Sequence, residues 1–440
     1  MASLIQGRVT KVTSLDRYPF HMPGHKGKLR NSFTPDVTEL PGLDNLHNPK
    51  GLIALSQARV AAIYRVPRTF FLVNGTSIGL MAGLMALIGP GERVLIERNC
   101  HKAVIAGLVH SGAMPVFIGQ EYCPHNQIWL PPSLTALKEA LALGGVKAAI
   151  FTNPNYMGLV PELGRLIGCC REQGVRTLVD EAHGAHLVFS PDLPPSAASL
   201  EADLVVQSAH KTLWALTQSA WLHCLNQELT GRLQQILNIF HTTSPSYPLL
   251  ASLEEAALRA VHVAPKALPR LRMWLNLLRQ SALKAGLGCW SSKGRDWTKL
   301  VLEARQSGSA LLRSRGVYHE LSMGRHMLFY TTMEDGLDTR GLKALIGLLP
   351  QLASLPPEIS VSIEPPPPIR MALFPREAWL KPGRKVPIAQ LKGQICREIL
   401  APYPPGTMVA LPGQLIDGET KDYLQMLHSK RVISAWLSVI

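Results

Sequence analysis

Three short segments of this chain hold residue types that could act together on one small molecule. Lys211 lies in Ser208-Ala209-His210-Lys211-Thr212, directly after the apolar run DLVVQ at 203–207. A lysine at the carboxyl edge of an α/β sheet can attack an aldehyde and hold it as a Schiff base, with Ser208 and His210 placed to meet a nearby phosphate. Taken alone, Ser-x-His-Lys describes a solvated loop lysine equally well. Asp180 closes a second apolar run, VRTLVD at 175–180. A carboxylate there can keep a pyridinium nitrogen protonated, which makes the ring an electron sink. Asp180-Glu181-Ala182-His183 also admits a metal or acid–base cluster, and His183 with His186 a zinc site. No neighbouring Cys or carboxylate set completes four ligands in recognisable order, so no metal is expected. Asn74-Gly75-Thr76-Ser77 follows the run TFFLV at 69–73 and opens an apolar helical segment. Strand, glycine turn, hydroxyls and helix start together make an anion site, although a plain Ser/Thr cap is the commoner use of such residues.

These segments need a common frame, and the sequence supplies one. From 69 to 224 short apolar runs alternate with helix-length periodic segments, the pattern of a mainly parallel α/β sheet. Seven strands are predicted: TFFLV from Thr69, RVLIE from Arg93, MPVFI from Met114, VKAAIF from Val146, VRTLVD from Val175, DLVVQ from Asp203 and SAWLHC from Ser219. Crossover helices fit at 133–143 and 162–173. A polar arm over 1–50, including PFHMPGHKG at 19–27, precedes a large domain over 51–260. A helix over 252–283 then leads into a smaller C-terminal domain, the two together occupying 261–440. The proline run at 365–368 marks an extended connection, and YPPG at 403–406 a turn.

Composition narrows the class. The chain has 440 residues, 46% hydrophobic and 17% charged, which fits a compact enzyme-like protein. Its 45 Lys and Arg against 31 Asp and Glu give a net charge of +14, yet the positive residues are scattered and never interleave with aromatics, so nucleic-acid binding is not expected. The seven cysteines contain no C-x-x-C pair, consistent with reduced thiols in the cytoplasm. The N-terminal residues lack the apolar core of a signal peptide, and the apolar stretch at 78–88 is far short of the roughly 20 residues that span a bilayer, so no membrane association is expected.

A phosphate cradle, an acid and a lysine in that chain order, on three strand ends of one sheet, are far more specific than any one of them. With PFHMPGHKG, LPGLDNLHNPKG, FFLVNGTS, ERNCHKAV, FTNPNYMG, VDEAHGAH, SAHKTL, TTSPSYPLL and PREAW, the sequence resembles the Orn/Lys/Arg decarboxylase family from about residue 18 to the end. The resemblance implies an aspartate-aminotransferase-like fold of type I, with a seven-stranded large domain and a smaller α+β C-terminal domain. It implies pyridoxal 5'-phosphate as cofactor, bound covalently by Lys211 and stacked on by His101, with Ala182 on the opposite face and His183 adjoining. Thr76, Ser77, Ser208 and His210 would hold the phosphate, and Thr243 would reach it from a neighbouring subunit of a homodimer or larger assembly. Lys211, Asp180 and His210 are the expected catalytic residues, with His210 or Lys211 returning a proton to the substrate α-carbon. The expected substrate is an amino acid, lysine, ornithine or arginine. Where family members carry PGE, however, this chain has Pro412-Gly413-Gln414, so the glutamate suited to a distal cation is replaced by a neutral amide. The family's SLDxAR stretch reads SLEEAAL from Ser252, which displaces Arg259 and leaves Glu254 and Glu255 either as substitutes or, as the preferred expectation, on a solvated helix face. An aminotransferase or carbon–sulfur lyase, with Arg370 or Arg376 as carboxylate clamp, and a noncatalytic regulatory relative are the competing readings.

Overall fold

The computed structural model describes residues 3–15, 36–358, 364–402 and 407–440. The PFHMPGHKG segment and the YPPG turn lie outside the described residues. All seven predicted strands form: β1 (Arg68–Leu72), β2 (Arg93–Ile96) and β3 (Met114–Phe117), then, after a small hairpin of β4 (Tyr122–Cys123) and β5 (Ile128–Trp129), β6 (Val146–Thr152), β7 (Arg176–Asp180), β8 (Leu204–Gln207) and β9 (Ala220–Cys224). They make one sheet in the order β1-β9-β8-β7-β6-β2-β3. Every pairing is parallel except those of β9, which runs antiparallel to both β1 and β8. Two reversals restore the direction, so β1 points the same way as β8 and β7. The chain ends that follow these three strands therefore share one sheet edge, where open α/β sheets bind ligands.

The strands are legible because helices cover both faces. Strand β8 is buried at all four positions and β9 at all five, giving near-continuous apolar runs. Helix Gly75–Leu87 lies close on one face. A Cβ at Gly79 would sit 2.7 Å from a Leu72 methyl and 2.8 Å from a Val206 methyl, so only glycine permits this approach. On the other side, helices Leu134–Ala142 and Leu163–Glu172 fill the two predicted crossover segments. Ser133 caps the first of them, its hydroxyl accepting from Ala136 N–H.

Helix Tyr247–Lys284 is the spine on which several parts pack. Its inward residues, among them Leu250, Ala257, Leu271 and Leu278, share a core with Ile5 and Val9 of helix Leu4–Leu15 and with Leu300 and Leu302. Glu254 is fully buried on this helix. It accepts from Ser3 Oγ (2.8 Å) and Leu4 N–H (2.9 Å) and pairs with Arg59 at 3.2 Å. The expectation of a solvated face therefore fails for Glu254, whose carboxylate instead anchors the start of helix Leu4–Leu15. Glu255 is exposed, and the displaced Arg259 pairs with Glu334 at 2.9 Å and lies over Trp214.

The C-terminal part is α+β and has two pieces. A three-stranded antiparallel sheet, β10 (Lys299–Glu303), β12 (His326–Tyr330) and β11 (Leu321–Met323), joins the core of the long helix. The pair β13 (Arg384–Pro387) and β14 (Trp436–Val439) packs with helix Gly418–Ser429 around a separate core that includes Leu391, Ile416 and Leu424. Among the described residues no helix is long and apolar enough to cross a membrane.

Candidate active site

Asp180 is the last residue of β7, in register with Thr152 of β6 and Val206 of β8. Its carboxylate is buried and accepts Ala182 N–H through Oδ1 at 3.1 Å. The next residue, Glu181, fixes this strand end. It is fully buried and accepts from Ser196 Oγ (2.6 Å), Ala197 N (2.7 Å), Gln207 Nε2 (2.6 Å) and Asn153 Nδ2 (2.9 Å). Four donors on one carboxylate tie the ends of β6, β7 and β8 together.

One strand over, Gln207 ends β8, and Ser208 leads into the single helical turn Ala209–Thr212 that carries Lys211. Ser208 Oγ donates to Thr76 Oγ1 at 3.3 Å, so the lysine segment meets the glycine turn that follows β1. That turn depends on Gly75, whose φ of +73° favours glycine and whose N–H donates to Gln218 C=O at 2.8 Å. The N-terminus of helix Gly75–Leu87, with Thr76 buried and Ser77 half-buried, thus stands beside Ser208.

The Lys211 amine has one partner the sequence did not single out for it. Its Nζ lies 3.1 Å from His183 Nε2, and His183 Nδ1 lies 3.2 Å from Tyr330 Oη. The Tyr330 hydroxyl donates to the Tyr156 carbonyl at 3.0 Å. With that proton committed, His183 donates from Nδ1 to the phenol oxygen, and Nε2 is left to accept from the lysine. Burial holds the His183 pKa well below the ordinary histidine range, and the cations of Lys211 and Lys299 push it further down against the pull of Asp296. The imidazole is therefore neutral around pH 7. Burial also lowers the Lys211 pKa, opposed by the carboxylates of Asp180 and Glu320.

Around this pair stand aromatic and charged groups from elsewhere in the chain. The rings of Tyr156 and Tyr330 meet His183 edge-on at centroid distances of 5.3 and 5.6 Å. Lys299 is 1% exposed, with its ammonium 3.9 Å from the Tyr330 ring centroid and 3.9 Å from Asp296 Oδ2. Asp296 Oδ1 meets His186 Nε2 at 3.2 Å and accepts Thr298 Oγ1 at 2.7 Å. His183 and His186 thus serve different partners. Tyr156 sits in the FTNPNYMG motif, but nothing in the sequence marked Tyr330, Lys299 or Asp296, which come from the C-terminal part.

The other expected residues divide. His101 caps helix Lys102–Ser111, Nδ1 accepting from Ala103 N–H at 3.2 Å. Burial lowers its pKa, with the charge of Asp180 opposing that shift and the charge of Lys211 adding to it. Ala182 is buried immediately after Asp180 and Glu181. His210 is turned to the Ser219 carbonyl, 3.0 Å from Nδ1. Thr243 is exposed on the loop after helix Thr230–Phe240, and among the described residues no hydrogen bond joins it to this cluster.

One buried acid tunes the surroundings. Glu97 accepts Thr152 N–H at 2.7 Å, and burial, reinforced by the nearby charge of Asp180, pushes its pKa up to about 8. It is mostly protonated at neutral pH. A carboxyl whose folded pKa exceeds its unfolded value adds stability that is complete below the unfolded pKa, near 4.5, and is lost as pH rises through about 8. The Glu97→Gln variant keeps an acceptor for Thr152. Between pH 5 and pH 8 its urea midpoints should fall less than those of the wild type, by roughly 1.4 kcal/mol of stability per pH unit at most. Parallel pH dependence in the two proteins would show that Glu97 is ionised.

The donor set fits pyridoxal phosphate. An aldehyde needs an amine of lowered pKa, a pyridine nitrogen needs a buried carboxylate, and a phosphate needs hydroxyls at a helix N-terminus. Lys211, Asp180 and the Thr76–Ser208 pair offer groups of these kinds on one sheet edge. Comparison with known proteins agrees. The chain matches the Orn/Lys/Arg decarboxylase major domain over residues 8–271 and the C-terminal domain of the same family over residues 368–432. It is 31% identical to an arginine decarboxylase of Bacillus subtilis over 452 residues, covering 92% of this chain and 89% of that protein. It is 31% identical to the uncharacterized protein YaaO of the same organism, covering 94% of this chain and 92% of that protein. Its fold matches the crystal structure of the Francisella novicida lysine decarboxylase with a TM-score of 0.82 at 18% identity, over 100% of this chain and 81% of that one. The chain belongs to the Orn/Lys/Arg decarboxylase family, within the fold-type-I pyridoxal-phosphate enzymes.

Proposed function

We propose that this protein decarboxylates a basic amino acid, lysine, ornithine or arginine, with pyridoxal 5'-phosphate bound to Lys211. The observation that carries the reading is the contact of the Lys211 amine with neutral His183 on the sheet edge that also holds Asp180 and the Thr76–Ser208 pair. When bound, the cofactor supplies a sink for the electrons released as the bond from the α-carbon to the carboxylate breaks.

The residues divide the remaining work. Thr76, Ser77 and Ser208 give hydroxyls, and helix Gly75–Leu87 its N-terminal N–H groups, to the phosphate, with His210 adjoining. Asp180 holds the proton on the ring nitrogen. His101 and Ala182 flank the ring, and His183 adjoins it through its contact with Lys211. Burial keeps a larger fraction of Lys211 in the amine form that attacks a carbonyl carbon. Neutral His183 accepts a hydrogen bond from the Lys211 amine at Nε2 and orients that amine beside the reaction centre, so that Lys211 rather than His210, whose ring is turned to Ser219, returns the proton to the α-carbon. The Nδ1 bond of His183 to Tyr330 fixes the His183 ring, as a second partner fixes a catalytic imidazole in general.

The His183→Gln variant should keep the cofactor's visible absorbance and lose turnover by about 100-fold. Steady-state rates within twofold of the wild type would show that His183 does not position the lysine. Neither arginine named for a carboxylate clamp favours the aminotransferase reading: Arg376 donates to the Val109 carbonyl at 2.8 Å, and Arg370 pairs with Asp417 at 3.5 Å. Incubating the holoenzyme with carboxyl-labelled lysine, ornithine and arginine tests the proposal. Labelled carbon dioxide and the matching amine are expected, and a keto acid without label release would overturn it. The working unit is a homodimer in which Thr243, exposed in the single chain, faces the partner's phosphate site. A monomeric mass for the active holoenzyme would contradict this.

A further inference from the structure

A basic substrate brings a second charge, and the chain must answer the ammonium or guanidinium at its far end. Of the three positions to which the sequence pointed, Glu255 is exposed on the long helix and the other two are engaged. Gln414 is fully buried, with Oε1 accepting Leu411 N–H at 3.3 Å. Glu254 is fully buried under the N-terminal helix. Neither offers a carboxylate to a ligand beside Lys211.

Glu320 does. It precedes β11 in the C-terminal part, its residue is exposed, and Tyr156 Oη donates to its Oε1 at 2.6 Å. A carboxylate accepts about four hydrogen bonds, so the tyrosine orients the group without filling it. The Tyr156 ring lies against His183, whose Nε2 touches the Lys211 amine, and 5.5 Å from the Tyr330 ring. The reacting amine and the Glu320 carboxylate thus flank one small aromatic cluster. Carboxylate and aromatic groups together suit an organic cation, by charge-assisted hydrogen bonds and by the negative ring faces. Glu320 also acts at a distance on the charges of both Lys211 and Lys299.

We propose that Glu320, oriented by Tyr156, pairs with the distal ammonium or guanidinium of the substrate and sets the preference for basic amino acids. This rests on the decarboxylase reading above. It assigns the counter-charge to the C-terminal part of the chain and explains how a member with glutamine at 414 can still select a cation.

The test uses the holoenzyme and two substrate pairs that differ at the far end, lysine against norleucine and arginine against citrulline. The wild type should favour the charged member of at least one pair. In Glu320→Gln the ratio of kcat/KM, charged over neutral, should fall roughly 10- to 100-fold, chiefly through a higher KM for the charged substrate. Glu320→Asp should recover part of the ratio, and Tyr156→Phe should lower it by a few-fold. Visible absorbance of the bound cofactor reports that each variant is folded. An unchanged ratio in Glu320→Gln would overturn the inference and leave the decarboxylase reading intact. An equal fall of kcat on both members, with KM constant, would make Glu320 structural and also overturn it. Wild-type enzyme that releases no carbon dioxide from any basic amino acid would remove the decarboxylase reading and this inference with it.

Discussion

The Lys211→Ala protein should fold, lose the visible absorbance of lysine-bound pyridoxal phosphate and turn over substrate on the order of 10⁴-fold more slowly, or worse. The size of the effect follows from what the amine does. It is the group that can bond to the aldehyde, and His183 is its hydrogen-bond partner at 3.1 Å. An alanine leaves no amine to bring the aldehyde into a bonded, pre-oriented state, and His183 loses the donor that Nε2 accepts. The fold should survive because the residue is only half-buried and sits in a single helical turn. Absorbance titration with added cofactor and a carbon dioxide assay check both halves. Turnover within tenfold of the wild type would show that another residue carries the cofactor.

Asp180→Asn should retain cofactor and fold but lower kcat by about 10²- to 10³-fold. Asparagine keeps an oxygen for the Ala182 N–H that Oδ1 now accepts, so the strand end should hold. What it cannot do is stabilise a positive charge on the ring nitrogen, and protonated Glu97 next to it provides no replacement. The loss should appear in kcat rather than KM, because the ring charge matters most as the bond breaks. A variant with near-normal kcat would remove Asp180 from the electron-sink role.

Much of this was legible in the residues. Strands β1, β2, β3, β6, β7, β8 and β9 are apolar runs because the sheet is covered on both faces, and such runs end where the chain meets the ligand edge. Thr76, Asp180, Ser208 and Lys211 could be placed from those endings alone. Orientation could not. His210 stands beside Lys211 in sequence, but its ring turns to Ser219, a contact set by the loop before β9. His183, three residues beyond Asp180, is the one that meets the amine. Tyr330, Lys299 and Glu320 were invisible because their relation to Lys211 depends on how the C-terminal sheet docks, and local periodicity carries no information about docking. Glu254 misled for the same reason. A helix with a second helix packed on it buries faces that simple amphipathic reasoning assigns to water.

The central claim is the identity of the lysine. Reducing the purified holoenzyme with borohydride and digesting it should yield a single pyridoxyl-modified peptide, containing Ser208-Ala209-His210-Lys211, with the added mass on Lys211. A pyridoxyl group on any other lysine, or none at all on an enzyme that still releases carbon dioxide, would contradict the account.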